Sequence, residues 1–360
     1  MSRSPTGCSS PSGENVQVAI SPAPTIDLIG RVQPLSDAFN RPITYLRISV
    51  TDRCNLRCVY CMPEAGLPWI VKSEILTYEE IGHIVESAAR IGVRSIRLTG
   101  GEPLIRRDLA TLVRRIAAIE GIDDIALSTN ALLLADQAAE LKAAGLTRVN
   151  VSLDTLQEDR FMAIARRPGL DRVLAGIDAA IAVGLAPIKL NCVVMRGQND
   201  DEIAAFAELT RTRPIHVRFI EVMPVSENLG MQADSYVAAS EMLARINALG
   251  DLRPVPGPGG NGPARYHAFD GAAGSVGVIS PLSHDYCETC NRVRLSADGH
   301  LRLCLFGDYE IDLRTPVRAG ASHEELGAIF RGAMYIKPER HHLELGQTAS
   351  AMRALSEIGG

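Results

Sequence analysis

The sequence has no run of about eighteen apolar residues that could cross a bilayer as a helix. Nor does it show a charged start followed by an apolar core, the pattern of a secretory signal. Aromatic residues are scarce, at 4% with one Trp, and basic residues are not in excess, since 37 Lys and Arg face 42 Asp and Glu for a net charge of -5. A stacking platform and a basic helix are therefore both missing, which counts against nucleic-acid recognition. A disulfide framework is missing too. The eight cysteines fall into two groups of three plus Cys8 and Cys192, a usage that fits metal chemistry in a reducing compartment. The expectation is a cytoplasmic protein without a membrane partner, long enough at 360 residues and 46% hydrophobic to bury a large core.

What is present begins with Cys54, Cys58 and Cys61, spaced C-x3-C-x2-C. Three thiolates leave one position of a metal site open, and an exposed iron of a cubic cluster is a place to bind a reactive cofactor. A structural zinc knot normally takes four ligands from Cys and His, and no neighbouring residue completes the set here. A second group, Cys287, Cys290 and Cys304, is again one ligand short, although His284 and His300 are near enough in sequence for zinc to stay open.

From Ile43 onward, β-branched runs alternate with amphipathic helical runs, the signature of a parallel β/α layout. Strands are expected over Ile43–Val50, Val93–Leu98, Asp124–Ser128, Thr147–Leu153, Pro187–Val194 and His216–Val222. In the first helix, Thr77 and Glu80 form a capping-box pattern and Gly92 a stop. The fold class is α/β. Six units fit an incomplete (β/α)6 barrel with a lateral opening, an open doubly wound sheet being the alternative. The expected organisation is a disordered extension over 1–35, a partial barrel over 36–250 and a C-terminal region over 251–360 that closes the barrel. A transit peptide is the other reading of the extension. Arg253 to Pro263 reads as a loop, and Asp298-Gly299 as a hairpin turn returning Cys304 towards Cys290.

Barrels of this kind place their chemistry at the carboxyl ends of the strands. The cysteine loop, Thr99-Gly100-Gly101-Glu102-Pro103, Ser128-Thr129-Asn130, Ser152-Leu153-Asp154, and Glu221 with Met223 all fall there. Gly100 and Gly101 permit close backbone approach to a ligand. Arg47 and Arg97 lie within strands, and Arg292 and Arg294, two residues apart, share one face beside Cys290. Guanidinium groups so placed match phosphate oxygens.

The first triad, with Tyr60 before its last cysteine, resembles the radical S-adenosylmethionine (SAM) enzymes. The second triad, flanked by Phe219-Ile220-Glu221-Val222-Met223 and Cys290-Asn291-Arg292-Val293-Arg294, is similar to the GTP 3',8-cyclases of molybdenum cofactor biosynthesis, from about Leu35 to Gly360. The resemblance implies two [4Fe-4S] clusters, on Cys54, Cys58 and Cys61 and on Cys287, Cys290 and Cys304. It implies SAM contacts at Tyr60, Gly101, Ser152 and Met223. GTP contacts are implied at Arg47, Arg97, Ser128, Lys189, Arg292, Val293 and Arg294, with catalytic roles for Arg292, Arg294 and the terminal Gly359 and Gly360. In such enzymes an electron from the first cluster splits SAM to a 5'-deoxyadenosyl radical, which takes the 3' hydrogen of GTP so that the sugar bonds to C8. The resemblance further implies an electron donor, a homodimer, and a product passed to cyclic pyranopterin monophosphate synthase. Two departures stand out: Ser128 replaces a commoner Thr, and Ala131 a commoner Gly. The competing readings are a peptide-acting radical SAM enzyme with an auxiliary cluster and a zinc-binding nucleic-acid module.

Overall fold

The computed structural model describes residues 35–223, 233–307, 309–343, 353 and 355–358. Residues 1–34, with Cys8, and the terminal Gly359 and Gly360 lie outside the described residues. The first part is a run of strand and helix units: β1 (Tyr45–Ser49), α1 (Tyr78–Ala89), β2 (Ser95–Thr99), α2 (Leu109–Ala117), β3 (Asp124–Thr129), α3 (Leu134–Ala143), β4 (Arg148–Ser152), α4 (Glu158–Ala165), α5 (Leu170–Ala182), β5 (Ile188–Val194), α6 (Ile203–Thr212) and β6 (Ile215–Glu221). There follow α7 (Ala239–Asn247), β7 (Leu252–Val255), β8 (Arg265–Phe269), β9 (Ser275–Ile279), β10 (Arg292–Leu295), β11 (His300–Arg302), β12 (Glu310–Asp312), α8 (Arg314–Arg318), α9 (His323–Tyr335) and α10 (Leu355–Ile358). The start of α1 shows why these boundaries fall where they do. Thr77 Oγ accepts from Glu80 N at 3.1 Å while Glu80 Oε2 accepts from Thr77 N at 2.7 Å, so two helix-end donors are satisfied reciprocally.

Among the described residues, twelve strands join one sheet in the order β12-β11-β10-β1-β2-β3-β4-β5-β6-β9-β8-β7. From β10 through β9 every neighbouring pair is parallel, and the strands beyond them are antiparallel. The sheet stays open between β12 and β7, which is the incomplete barrel. Two strands of the late region, β9 and β10, extend the parallel array on its two sides, so the C-terminal residues are built into the barrel wall. The stretch expected as a loop after Arg253 contains β7. Pro254 is tolerated there because β7 is an edge strand with no further neighbour to receive an N–H.

Parallel strands buried on both faces normally read as continuous apolar runs. These alternate. Leu46 and Ile48, Ile96 and Leu98, Val149 and Val151, and Val293 and Leu295 are all fully buried beneath the helices or their continuation. Each such side chain contributes about 1.5–3 kcal/mol of burial. The opposite parity is largely polar, and that face lines the interior of the incomplete barrel.

Candidate active site

Register decides which residues share the chamber. Tyr45 pairs with Arg292 and Ser95, Arg47 with Arg294 and Arg97, Asn150 with Lys189, and Lys189 with His216. Successive side chains alternate across a sheet, so Arg47, Arg97, Lys189, Arg218, Arg292 and Arg294 all take the inner parity. A closed barrel of this family of shapes fills its interior with branched apolar side chains. Here the interior is cationic.

Several of these cations meet only neutral partners. Arg97 Nε donates to the Tyr45 hydroxyl and its Nη1 to Ser128 Oγ at 3.3 Å. Arg218 Nε donates to Asn191 Oδ1 at 2.7 Å, and Lys189 Nζ to the Gly259 carbonyl. Among the described residues, none of Arg97, Lys189, Arg218 and Arg292 has a carboxylate partner, and Arg292 Nε is buried without any acceptor. Burial pulls Arg47, Arg97, Arg218 and Arg294 down to about 10. Burial, then the neighbouring Arg218 and Arg148 charges, pull Lys189 down to about 7. Leaving a buried charge unpaired costs several kcal/mol, so the chamber is built to receive an anion. Arg148 differs, since Asp124 neutralises it through Nε to Oδ1 at 2.8 Å. The segment Gly257–Gly262 crosses the floor, where Asn261 Nδ2 donates to Ser95 Oγ at 2.7 Å.

At the strands' carboxyl ends, Cys54, Cys58 and Cys61 line a cavity of about 210 Å³ with Tyr60, Gly101, Ser128, Ser152 and Met223. The residues expected to hold SAM are thus gathered on one site. Leu355 and Ser356 line it as well, placing the end of the chain at its wall, while Gly359 and Gly360 fall outside the described residues. The two glycines act differently from the expectation of ligand approach alone. A Cβ on Gly100 would stand 2.6 Å from Thr51 O, and one on Gly101 would stand 2.1 Å from Arg53 O. Their first task is to let the cysteine loop lie against β2, which it does through Gly101 N to Thr51 O and Glu102 N to Arg53 O, both 2.7 Å.

Buried carboxyls ring this upper cavity. Glu102 accepts from Asn130 N and Thr129 Oγ1, each at 2.7 Å, and burial pushes it up to about 7. Asp154 accepts from the Tyr60 hydroxyl at 2.7 Å, and burial pushes it up to about 6. Burial also raises Cys61 to about 12 and Cys58 well above the ordinary thiol value. Left as thiols, these groups would stay protonated. Three cysteines without a His or carboxylate ligand, beside a cavity, fit an iron-sulfur cube that leaves one iron open.

The second triad flanks β10, which pairs with β1. Gly299, at φ 85°, turns the β10–β11 hairpin that returns Cys304 towards Cys290. Burial pushes Cys287 up to about 11, whereas at Cys290 burial is outweighed by the Lys337 and Arg292 charges, which hold it below the ordinary thiol value. Lys337 Nζ lies 3.7 Å from Cys290 Sγ. His300 is held at 3.2 Å from Asp298 Oδ2 rather than offered to a metal. Val293, expected among the GTP contacts, directs its fully buried side chain into the apolar core, so only its main chain is left for a ligand.

Sequence reasoning missed Arg218, Lys337 and Arg41. Arg218 carries a readable signal, because it follows His216 and precedes Ile220 on the inner parity of β6. Lys337 and Arg41 carry none, since each reaches the second triad from a distant part of the chain.

Residues 48–210 match the Radical SAM superfamily, and residues 215–343 match Molybdenum Cofactor Synthesis C. The chain is 53% identical to GTP 3',8-cyclase of Heliobacterium modesticaldum, over 90% of this chain and 99% of that one. It is 52% identical to GTP 3',8-cyclase of Pelotomaculum thermopropionicum, over 91% and 100%, and 44% identical to that of Listeria monocytogenes, over 91% and 100%. Among solved structures, it resembles Streptococcus suis SuiB bound to S-adenosylmethionine with a TM-score of 0.55 at 14% identity, over 80% of this chain and 67% of that one. At that identity the likeness concerns the fold.

Proposed function

Because this chain belongs to the GTP 3',8-cyclase family within the radical SAM superfamily, we propose that its two cysteine triads and the cationic chamber between them form one GTP-cyclising site. The reaction converts GTP to (8S)-3',8-cyclo-7,8-dihydroguanosine 5'-triphosphate, the first step of molybdenum cofactor biosynthesis. Family membership sets aside the peptide-acting and zinc-module alternatives. The observation that carries the site reading is the set of buried cations on the inner faces of β2, β5 and β6, Arg97, Lys189 and Arg218, which have no carboxylate partner among the described residues.

Cys54, Cys58 and Cys61 would hold one [4Fe-4S] cluster and Cys287, Cys290 and Cys304 a second. When bound, the first cluster and SAM supply the radical that takes the 3' hydrogen atom of GTP. The protein's own contribution is placement. SAM carries a net positive charge on its sulfonium, and the cavity beside the first triad offers Asp154 and Glu102 nearby, with Tyr60, Gly101, Ser152 and Met223 on its wall. A triphosphate carries several negative charges, and Arg47, Arg97, Lys189, Arg218, Arg292 and Arg294 would grip it by charge-assisted bonds. Ser128, bonded to Arg97 and lining the upper cavity, stands between the two groups. Holding the triphosphate would fix the nucleotide relative to the first triad, and a near-attack arrangement of this kind lowers the barrier by saving orientational entropy. The apolar walls of the upper cavity, Leu56, Val193, Ile220 and Val222, keep water from the reactive carbon.

The decisive experiment is anaerobic incubation of the reconstituted protein with SAM, reductant and GTP, followed by mass spectrometry. Production of 5'-deoxyadenosine together with an isomer of GTP is expected. SAM cleavage without any GTP-derived isomer would overturn the proposal.

A further inference from the structure

Lys337 follows α9 and is 3% exposed, yet among the described residues it has no carboxylate partner. Its ammonium donates to the Leu303 carbonyl, adjacent to Cys304, and lies 3.7 Å from Cys290 Sγ. One side chain therefore spans two of the three ligand segments of the second triad. The third is reached from the other end of the chain. Arg41, 6% exposed, donates from Nη1 to the Cys287 carbonyl at 2.8 Å, and its Nη2 donates to the Pro338 carbonyl at 2.7 Å, next to Lys337. The two cations differ in one respect. Arg41 is neutralised by Asp37 at 2.6 Å, whereas Lys337 is left to the sulfur side.

We propose that Lys337 and Arg41 form a clamp around the second cluster, in which Arg41 positions the Cys287 segment and Lys337 supplies the charge that an anionic cube of thiolates requires. Neither residue is a ligand. Both act through the ligands, as outer partners of metal sites commonly do. A buried ammonium without a carboxylate is costly to the protein alone, and a cluster carrying net negative charge beside it removes that cost. A reduced cube is one electron more negative than an oxidised one, so the ammonium favours reduction and an N–H···S bond raises the potential.

This inference rests on the reading that the second triad holds a cluster, and the experiment keeps the two apart. The full-length chain with Cys54, Cys58 and Cys61 changed to Ala retains the late triad alone. After anaerobic reconstitution its iron is counted, and its cluster is titrated by electron paramagnetic resonance against solution potential. Lys337→Met in that background is expected to lower the equilibrium constant for reduction about tenfold, about 59 mV for one electron. Lys337→Arg should restore most of it. Loss of iron in Lys337→Met with retention in Lys337→Arg, at unchanged circular dichroism, also supports the clamp. A potential equal to the parent's in Lys337→Met, with iron retained, would overturn it. A parent background that binds no iron would instead refute the second cluster itself, and the clamp with it.

Discussion

The two cysteine triads have the same number of cysteines and opposite electrostatic surroundings. Around Cys54, Cys58 and Cys61 the buried ionisable neighbours are carboxyls, Glu102 and Asp154, and burial raises every thiol of the triad. Around Cys287, Cys290 and Cys304 they are Lys337, Arg294 and Arg41, with the half-buried Arg292 beside them, and Cys290 is held below the ordinary value despite burial. An identical ligand count can thus serve two tasks, because the surrounding charge selects which co-ligand is tolerated. In the proposed site a sulfonium cofactor would suit the first triad, and a polyphosphate nucleotide the second.

The comparison breaks most visibly at the ligands. Cys58→Ala should abolish both SAM cleavage and cyclisation, whereas Cys287→Ala should retain uncoupled SAM cleavage while losing the cyclised nucleotide. Product analysis for 5'-deoxyadenosine and the GTP isomer separates them, and cyclisation by the Cys287 variant would show that the two ends are not specialised. Gly101→Ala comes next, because its Cβ would press on the Arg53 carbonyl and lift the cysteine loop from β2. Iron content should fall towards that of the second triad alone while the fold persists by circular dichroism.

At the cationic end, Arg218→Met should weaken GTP binding by about 2–5 kcal/mol, the usual result of deleting one member of a buried charged contact. The same change removes an unpaired buried charge, so the GTP-free protein should become more stable in denaturant. Calorimetry and urea titration test both signs, and unchanged GTP affinity would remove Arg218 from the site. Lys189 gives a pH signature. Its value is near 7 in the folded protein against an ordinary 10.5. The unfolded chain therefore binds more protons between those limits, and the GTP-free protein gains stability as pH rises through them. A triphosphate favours the charged lysine, so GTP affinity should fall as pH rises above about 7, with proton uptake on binding. Calorimetry in buffers of different ionisation enthalpy should show that uptake, and Lys189→Met should abolish it.

The smallest effect is expected at Ala131, which is buried at φ 63° in the left-handed region. Ala131→Gly relieves about 1–2 kcal/mol of backbone strain. It also loses a methyl group worth about 0.8 kcal/mol and adds about 0.5–1 kcal/mol of unfolded-state entropy. Thermal denaturation should therefore change little.

Much of the site was legible because its information is local. Thiolate spacing, the capping box at Thr77 and Glu80, and the alternation through Arg292 and Arg294 each lie within a few residues. Arg218 was equally readable by parity and was overlooked. Val293 shows the limit of a motif carried over whole, since the same alternation that turns its neighbours inward sends its side chain to the core. Gly101 shows a second limit, for a glycine in a sequence does not say whether a ligand or another loop needs the space.

By itself the chain's order of residues determined the six parallel strands from β1 to β6, the β10–β11 hairpin, the helices between the first strands, the cysteine spacing and which side chains of a strand share a face, since all of these follow from backbone periodicity and spacing, whereas β7, β8, β9 and β12 were not legible in it. Only the folded sheet decided that β10 lies beside β1 and β9 beside β6, bringing Arg47 against Arg294. Only packing brought Arg41 and Lys337 to one cysteine triad from opposite ends of the described chain. Long-range pairing depends on which apolar faces can be buried together, and no window of sequence contains both partners.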